Sequence, residues 1–293
     1  MEPEISVKDW LAKVKGLGFE AIELSYKITA RQLKEAEQYL GPSGLKVSSI
    51  HNFCPTPDDG PSDRHPSNYY RLSALDEHER RQAVKWTKIA VDTARRVGAR
   101  VVVIHAGTVD VEDERLPKLF ELFVNGEQDS ATFCKERERV LKLRKDKKGP
   151  YVAALEKSLR ELIPYSLSQK ILIGLETRYY PLEIPDFDEI GHFLNMFGQR
   201  EIGYWHDVGH AEINSRLGIT PHRKFLDTYK DRLIGVHLHG IKGRRDHQAP
   251  FEGDMDLDKF LPFFGPDVLR VVESKPIAAE NFIREAVKRL KGK

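Results

Sequence analysis

Two histidines and an aspartate stand within five residues in the stretch YWHDVGH, residues 204–210. Imidazole and carboxylate groups at such short spacing are common ligands of divalent cations, although one such stretch equally suits a polar surface turn. The same residue types end each of seven short apolar runs along the chain. In chain order these ends are Glu23, His51, His105, Glu176, Asp207, His237 with His239, and Glu273. Some polar ends are expected, but seven ends of metal-ligand type out of seven, with no Ser, Thr or Asn among them, are not.

The seven apolar runs predict β-strands that are covered on both faces. They are FEAIELS, LKVSSIHNF, RVVVIHAG, ILIGLETR, EIGYWHDVG, LIGVHLHG and VLRVVESKP. Continuous runs rich in Val, Ile and Leu are typical of parallel strands, and segments with helical periodicity separate them. This alternation over the whole length predicts an α/β fold with a parallel sheet, in a single domain over residues 1–293.

A TIM (β/α)8-type barrel with strand 1 missing or vestigial is the expected architecture. Only MEPEI precedes the first helical segment, so an eighth strand is vestigial, absent from an open barrel, or upstream of Met1. In such a barrel the carboxyl ends of all strands converge on one mouth, so the acidic and imidazole ends would meet there. A ring of carboxylates and imidazoles suits a divalent cation such as Zn²⁺ or Mn²⁺. Without an ion, so many buried acids would need protons or partners.

Two long segments follow strands and are therefore expected on the same face as the predicted site. One covers residues 54–75, and the other is an insertion over residues 109–150, after the strand that ends at His105. Within the insertion, KERERVLKLRKDKK (residues 135–148) carries eight basic and three acidic residues. Such a charge run predicts a solvated helix, and a lid that faces phosphate is the alternative.

Composition predicts a cytoplasmic globular protein. The two cysteines, Cys54 and Cys134, lie in unrelated contexts, which argues against a disulfide framework and against a thiolate zinc site. The N-terminal MEPEISVKDW lacks the apolar core of a signal peptide, and the longest apolar runs are too short to span a bilayer. The formal net charge of +2 neither requires nor excludes a nucleic-acid partner.

Individual members of the ring carry different expectations. Glu23 is expected to be a structural or hydrogen-bonding partner rather than a ligand. His237 and His239 are two residues apart on one strand and face the same side, so either suits a ligand. His206 is expected to pack, and His210 suits a metal ligand, a substrate contact or a helix cap. Four further histidines are interpreted as ordinary surface residues: His65, His78, His192 and His222.

Four segments, GFEAIELS, VVVIHAG, HDVGHA and HLHGIKGRRDHQAPFEGDMDLDKF, resemble parts of the xylose isomerase-like TIM-barrel superfamily. This superfamily includes sugar-phosphate isomerases and epimerases and, more distantly, endonuclease IV-type abasic-site nucleases. The resemblance covers the chain from the first helix onward. It implies a metal site formed by Glu176, Asp207, His239 or His237, and Glu273. It also implies a substrate or third-metal contact at His210, a nuclease-type first-zinc pair at His51 and His105, and an extra-zinc pair at Asp246 and His247.

The sequence departs from the family pattern in four respects. The first strand is missing, and HLHGIKG lacks the acid that commonly follows the histidine strand. Asp246 and His247 are adjacent rather than separated by one residue, which weakens the case for a third metal. GLETR carries Thr177 and Arg178 where many relatives have an Asn after the glutamate.

The resemblance favours a divalent-metal-dependent sugar or sugar-phosphate isomerase or epimerase. One ion would polarise a carbonyl, while Glu176 and Glu273 remove and return the neighbouring proton. The substrate would be a small sugar or polyol. Its expected contacts are His210, Arg178, Arg244, Arg245, Lys275, Tyr69 and Tyr179.

The alternative is an endonuclease IV-like zinc phosphodiesterase that acts on abasic DNA with two or three ions. His51 and His105 favour this interpretation, because a one-metal epimerase does not need them. The balanced charge and the lack of basic runs with interleaved aromatic residues disfavour a nucleic-acid partner. A barrel that keeps its metal only as a structural plug is the third, non-enzymatic interpretation. The open edge at the missing strand predicts a homodimer in which a second subunit covers it.

Overall fold

Strands and helices alternate along the part of the chain that the computed structural model describes, residues 5–111, 115–275 and 280–291. The main strands there are β1 (Ala21–Leu24), β2 (Lys46–His51), β3 (Val101–Ile104), β4 (Leu172–Glu176), β5 (Ile202–Asp207), β6 (Leu233–Leu238) and β7 (Leu269–Val272). The α-helices are α1 (Val7–Gly16), α2 (Ala30–Ser43), α3 (Glu77–Val97), α4 (Arg115–Val124), α5 (Ala131–Lys147), α6 (Gly149–Ser168), α7 (Phe187–Met196), α8 (Val208–Arg216), α9 (His222–Tyr229) and α10 (Glu280–Lys291). Two short antiparallel pairs join Gly107–Thr108 to Glu183–Ile184 and Gly240–Lys242 to Arg245–Gln248.

The seven main strands form one sheet in chain order, and each pairs in parallel with the next. Each apolar run that the sequence marks as a strand is a strand here, so the predicted TIM-type barrel is confirmed. Within the described residues β1 and β7 do not pair with each other, so the barrel is nearly closed. Residues 1–4, where most of the vestigial strand was expected, lie outside the described residues.

Helix α10 covers the interval between β7 and β1 on the outside of the barrel. Ile283 and Val287 of this helix pack with Val272 of β7 and with Phe19, two residues before β1. The chain itself therefore shields the place where a second subunit was expected, and the homodimer stays a prediction. No helix in the described part of the chain is long and apolar enough to cross a membrane.

Polar caps and glycine set the ends of the helices between the strands. Thr29 and Gln32 form a reciprocal capping box at the start of α2, and Asp186 and Glu189 form one at the start of α7. Helix α3 ends at Gly98, whose φ of 77° is the left-handed conformation that glycine adopts without strain. These local signals define the helix lengths, and the helix lengths place the strand ends at one level.

Trp205 of β5 fills the barrel interior below the strand ends. Its side chain is fully buried and packs with Val101 and Val103 of β3. Gly235 of β6 leaves the necessary space, because a Cβ atom there would lie 2.1 Å from the indole ring. The indole centroid lies 5.2 Å from the ring centroid of His237. The indole therefore forms a floor under the predicted site.

The described part of the insertion forms helices α4 and α5. Helix α5 carries the charge run and is largely solvated, as predicted, and none of residues 135–148 lines the cavity at the barrel mouth. Glu136 and Arg144 are the buried charged residues of the run, and the side chain of Arg144 is only 4% exposed. Its guanidinium donates hydrogen bonds of 2.7 and 2.8 Å to Glu189 and also pairs with Asp186 at the start of α7. This buried cluster attaches the insertion to the barrel.

Arg144→Ala is expected to lower the free energy of unfolding by about 3 kcal/mol, because it leaves the buried Glu189 with only the partly exposed Lys148 as a cation. Lys142→Ala on the same helix removes only an exposed pair with Asp146 and should cost less than about 0.5 kcal/mol. Urea denaturation of both variants measures the difference. Equal effects would show that the buried cluster does not hold the insertion in place.

Candidate metal centre

Four side chains of metal-ligand type meet at the carboxyl ends of the last four barrel strands. Glu176 ends β4, Asp207 ends β5, His237 lies near the end of β6, and Glu273 directly follows β7. One ligand atom of each lies within 4.8 Å of those of the other three. His237 Nδ1 lies 2.8 Å from Glu176 Oε1, 3.1 Å from Glu273 Oε2 and 3.7 Å from Asp207 Oδ2. These residues are called the four-residue group below.

Glu23 of β1 fixes the ring of His237 from the side away from this group. Its Oε1 lies 3.0 Å from Nε2 of His237, and its Oε2 accepts a hydrogen bond of 2.7 Å from the hydroxyl of Ser49. When Nε2 donates its proton to Glu23, Nδ1 is free to bind an ion. Glu23 therefore contacts a ligand-type residue and does not belong to the four-residue group.

The charges of the four-residue group attract a cation. Burial alone would lower the pKa of His237, but the carboxylates of Glu273 and Glu23 hold it well above its usual value. Burial alone would raise the pKa of Glu176, but His105 and His237 hold it well below its usual value. Three carboxylates at one buried point require compensating positive charge. The donor set of three carboxylates and one imidazole fits Zn²⁺ or Mn²⁺.

A second group forms on the other oxygen of Glu176. His51 ends β2 and His105 directly follows β3, and their Nε2 atoms lie 3.9 and 2.8 Å from Glu176 Oε2. The three ligand atoms lie within 4.8 Å of one another. Glu176 thus faces two groups, with one oxygen in each. The residues His51, His105 and Glu176 are called the two-histidine group below.

A third group brings His210 of α8 together with Asp246 and His247, again within 4.8 Å. The sequence weakened the case for this pair, because Asp246 and His247 are adjacent where the family pattern separates them by one residue. Adjacent residues of a regular strand point to opposite sides. His247 has a φ of 56°, and the pairing of its strand shifts register between Arg245 and Gln248. This irregularity turns both side chains toward His210. The three ligand-type side chains therefore lie close together even though Asp246 and His247 are adjacent in the sequence.

His239 belongs to none of the three groups. Its Nε2 lies 3.1 Å from Asp207 Oδ1, and its Nδ1 accepts a hydrogen bond of 3.0 Å from the backbone N–H of His247. Gly209 permits this placement, because a Cβ atom there would lie 2.1 Å from His239 Cε1. His239 holds Asp207 and the strand of His247 in place. Of the two histidines on this strand, His237 is the one whose geometry suits a ligand.

A buried hydrogen-bonded chain behind Asp207 corrects one expectation. His222 was assigned to the surface from the sequence, yet it is buried and stacks on Phe260 with ring centroids 3.6 Å apart. Its Nε2 lies 3.0 Å from Nε2 of His206, and its Nδ1 lies 3.0 Å from Glu212 Oε2. The surface assignment was wrong because His222 is the first residue of α9 and packs inward. The first residue of a helix is usually exposed.

The three groups lie at the base of a cavity of about 980 Å³ at the barrel mouth. Six cationic side chains line it, namely Arg178, Arg216, Lys242, Arg244, Arg245 and Lys275. Five carboxylates line it as well, namely Glu176, Glu183, Asp246, Asp254 and Glu273. Aromatic and apolar side chains complete the lining, namely Tyr26, Phe123, Val124, Tyr179 and Tyr180. The cavity therefore combines charges of both signs with apolar surface. Of the predicted substrate contacts, Arg178, Arg244, Arg245, Lys275, Tyr179 and His210 line this cavity.

Tyr69 is the predicted substrate contact that the structure does not place in the cavity lining. Its ring packs beside Gly60, where a Cβ atom would lie 2.0 Å from the ring. His65, assigned to the surface, does line the cavity, as do Tyr26 and Glu183, which the sequence analysis missed. Tyr26 follows β1 by two residues, so its position after a strand was a usable signal. No sequence pattern marks Glu183, because it reaches the cavity through a short antiparallel pairing with Thr108.

The family of the chain follows from comparison with known proteins. A family model described as the xylose isomerase-like TIM barrel matches residues 11–265, and the chain belongs to this family. No curated protein matches the chain in sequence.

Solved structures with the same fold are distant in sequence. The 3-keto-D-glucoside 4-epimerase YcjR from E. coli aligns over 99% of this chain and 95% of its own, with 15% identity and a TM-score of 0.67. A D-psicose 3-epimerase from Clostridium cellulolyticum aligns over 99% and 92%, with 12% identity and a TM-score of 0.64. A D-allulose 3-epimerase from Methylomonas sp. aligns over 98% and 91%, with 13% identity and a TM-score of 0.66. At these identities the likeness establishes the fold.

Glu23→Gln is expected to weaken Mn²⁺ binding by about 10- to 100-fold, because it removes the charge that orients His237 through Nε2. Ser49→Ala removes only a hydrogen bond to Glu23 and should weaken binding less. Calorimetric titration of chelator-treated protein measures both affinities. An unchanged affinity in Glu23→Gln would show that the ring of His237 is oriented without this carboxylate.

Gly209→Ala is expected to weaken ion binding as well, because the added Cβ atom displaces His239 and with it the support of Asp207. Gly41→Ala is the matched control, since a Cβ atom at Gly41 has no other atom within 4 Å. Titration with Mn²⁺ compares the two variants. The same affinity in both would mean that Asp207 keeps its position without His239.

Proposed function

We propose that this protein is a divalent-metal-dependent hydrolase of phosphate esters, with small-molecule phosphodiesters as its substrate class. One observation carries the proposal: nine side chains of ligand type gather in three groups at the base of one cavity, which six cationic side chains also line. Two of the three groups share Glu176. The sequence favoured a sugar enzyme that needs a single ion. The convergence of the two further groups moves the preference to the hydrolase.

The donor sets suit up to three ions. The four-residue group would hold one, the two-histidine group a second, and His210 with Asp246 and His247 a third. Bound divalent ions supply positive charge to the attacking and leaving oxygens of a phosphoryl group and lower the pKa of water. One-metal proton transfer on a sugar would leave two of the three groups without a role.

Glu273 is the carboxylate best placed to accept a proton. Its side chain is 26% exposed, whereas that of Glu176 is 1% exposed. Glu176 Oε2 already accepts hydrogen bonds from Arg178 at 2.6 Å and faces His105 at 2.8 Å. A group saturated in this way is a poor base. In the proposed reaction Glu273 accepts the proton of the attacking water, and Glu176 serves as a shared ligand.

The cavity lining supports an anionic substrate of small size. Arg244, Arg245 and Lys275 are placed to bind the unesterified oxygens of a phosphate, and Lys275 Nζ lies 3.9 Å from Asp246. Tyr179 and Tyr180, with ring centroids 4.7 Å apart, offer apolar surface to the organic part of the ester. A cavity of this volume is typical of small-molecule sites, which favours a small diester over duplex DNA.

A metal-dependent sugar isomerase or epimerase is the second candidate. The structural neighbours support it, since they are named as sugar epimerases. Glu176 and Glu273 both approach the four-residue group and would move a proton next to a carbonyl. In that reaction Glu273 removes the proton, and Glu176 must first release Arg178 before it can return one.

His105→Asn separates the two candidates. It removes a ligand of the two-histidine group and keeps all four side chains of the four-residue group, so hydrolysis of bis-p-nitrophenyl phosphate should fall by about 100-fold. Glu273→Gln should abolish either reaction. The control reaction is solvent deuterium exchange into ketohexoses and their phosphates, followed by NMR. Deuterium incorporation that survives His105→Asn, without phosphodiesterase activity in the parent protein, would establish the sugar enzyme instead.

A further inference from the structure

Arg178 is a buried cation at the junction of the metal-ligand groups. One end of its guanidinium donates a 2.6 Å hydrogen bond to Glu176 Oε2, and the other end donates one of 2.6 Å to Glu183 Oε1. Its backbone carbonyl accepts a hydrogen bond of 2.8 Å from Asn214. The residue is 7% exposed and lines the cavity. Arg178 is thus fixed at its base and tip, with its charge beside the shared carboxylate.

The two-histidine group has the same carboxylate oxygen as its only anionic ligand. Glu176 Oε2 lies 2.6 Å from Arg178 and 2.8 Å from His105 Nε2. An ion there would face one shared carboxylate and one end of an arginine whose other end is paired with Glu183. An ion in the four-residue group would face three carboxylates. Like charges a few ångströms apart in a buried site repel strongly. The four-residue group therefore binds its ion first and the two-histidine group binds more weakly.

An anionic substrate changes this balance. Arg178 lines the cavity in which the proposed substrate's phosphate would bind, and each terminal nitrogen of its guanidinium has a second N–H besides the one bonded to Glu176 or Glu183. A phosphate beside Arg178 would offset its charge and supply further negative charge to an ion. Glu183 keeps the guanidinium at the cavity wall, because its second oxygen accepts the backbone N–H of Tyr180 at 2.8 Å.

We propose that Arg178 couples ion loading to substrate binding: the two-histidine group acquires its ion only when a phosphate oxygen offsets the charge of this arginine. The inference rests on the proposed phosphoesterase function and deepens it. Coupling between two ligands is reciprocal, so the ion should also strengthen phosphate binding by the same factor. Arg178 thereby acts as a positioning residue that controls the number of ions in the site.

The test counts bound Mn²⁺ by equilibrium dialysis of chelator-treated full-length protein, with and without inorganic phosphate. The parent protein should gain one ion per chain when phosphate is added. Arg178→Gln should hold this additional ion without phosphate, with an affinity about 5- to 150-fold tighter than that of the parent protein, the usual range of such coupling. His105→Asn should lack the additional ion under all conditions, which assigns it to the two-histidine group.

Arg216→Gln is the matched control for the count. Arg216 is a half-buried arginine of the same cavity, but its partners are Glu212 and Asp254 rather than Glu176. Its loss should leave the phosphate-dependent gain as in the parent protein. If Arg178→Gln fails to fold, the double substitution with Glu183→Gln removes the buried pair together and gives the same count.

The outcomes separate the inference from the proposed function. Equal ion counts with and without phosphate in the parent protein would overturn the coupling, as would an Arg178→Gln count identical to that of the parent. A constant count of two or three ions would leave the hydrolase standing and refute the role of Arg178. A protein that binds one ion under every condition would refute both.

Discussion

A single buried carboxylate, that of Glu176, is the interaction on which the rest of the site depends. Its two oxygens lie 2.8 Å from His237 Nδ1 and 2.8 Å from His105 Nε2, on different sides. A carboxylate that is 1% exposed is stable only if positive or proton-donating groups surround it. Strands β2, β3 and β6 supply the imidazoles, and Arg178 supplies a permanent charge. The barrel brings these groups together because the ends of its parallel strands share one level.

Much of this arrangement was accessible from the sequence, for a physical reason. Strands buried on both faces are continuous apolar runs, so the residue at which each strand ends can be identified from the sequence. In a parallel barrel those positions are neighbours in space. Glu176, Asp207 and Glu273 could therefore be grouped without coordinates. The same rule placed Glu23 at this level but could not say that it contacts His237 rather than an ion.

What the sequence could not provide depends on local backbone geometry and on long-range packing. His237 and His239 are two residues apart, so the alternation of a strand points both to the same side. The close approach of Gly209 to His239, which the sequence does not reveal, distinguishes the two. Asp246 and His247 converge because His247 adopts a positive φ. A histidine at this position does not predict that conformation. Tyr69 lies within the segment 54–75 at the barrel mouth, yet its ring packs beside Gly60. Sequence patterns thus predict the fold but not the positions of single residues in irregular segments.

The indole of Trp205 affects how ions and small molecules enter and leave the cavity. This ring is fully buried in the barrel interior next to His237, so among the described residues it separates the cavity from the lower part of the barrel. Ions, water, substrate and product share the mouth. Asp246 and His247 are about a quarter exposed there, whereas the innermost ligands are buried. An ion bound at the base would have to leave through this same mouth. Molecules bound above it would then slow its exchange, so the occupied cavity would retain the ion kinetically as well as thermodynamically.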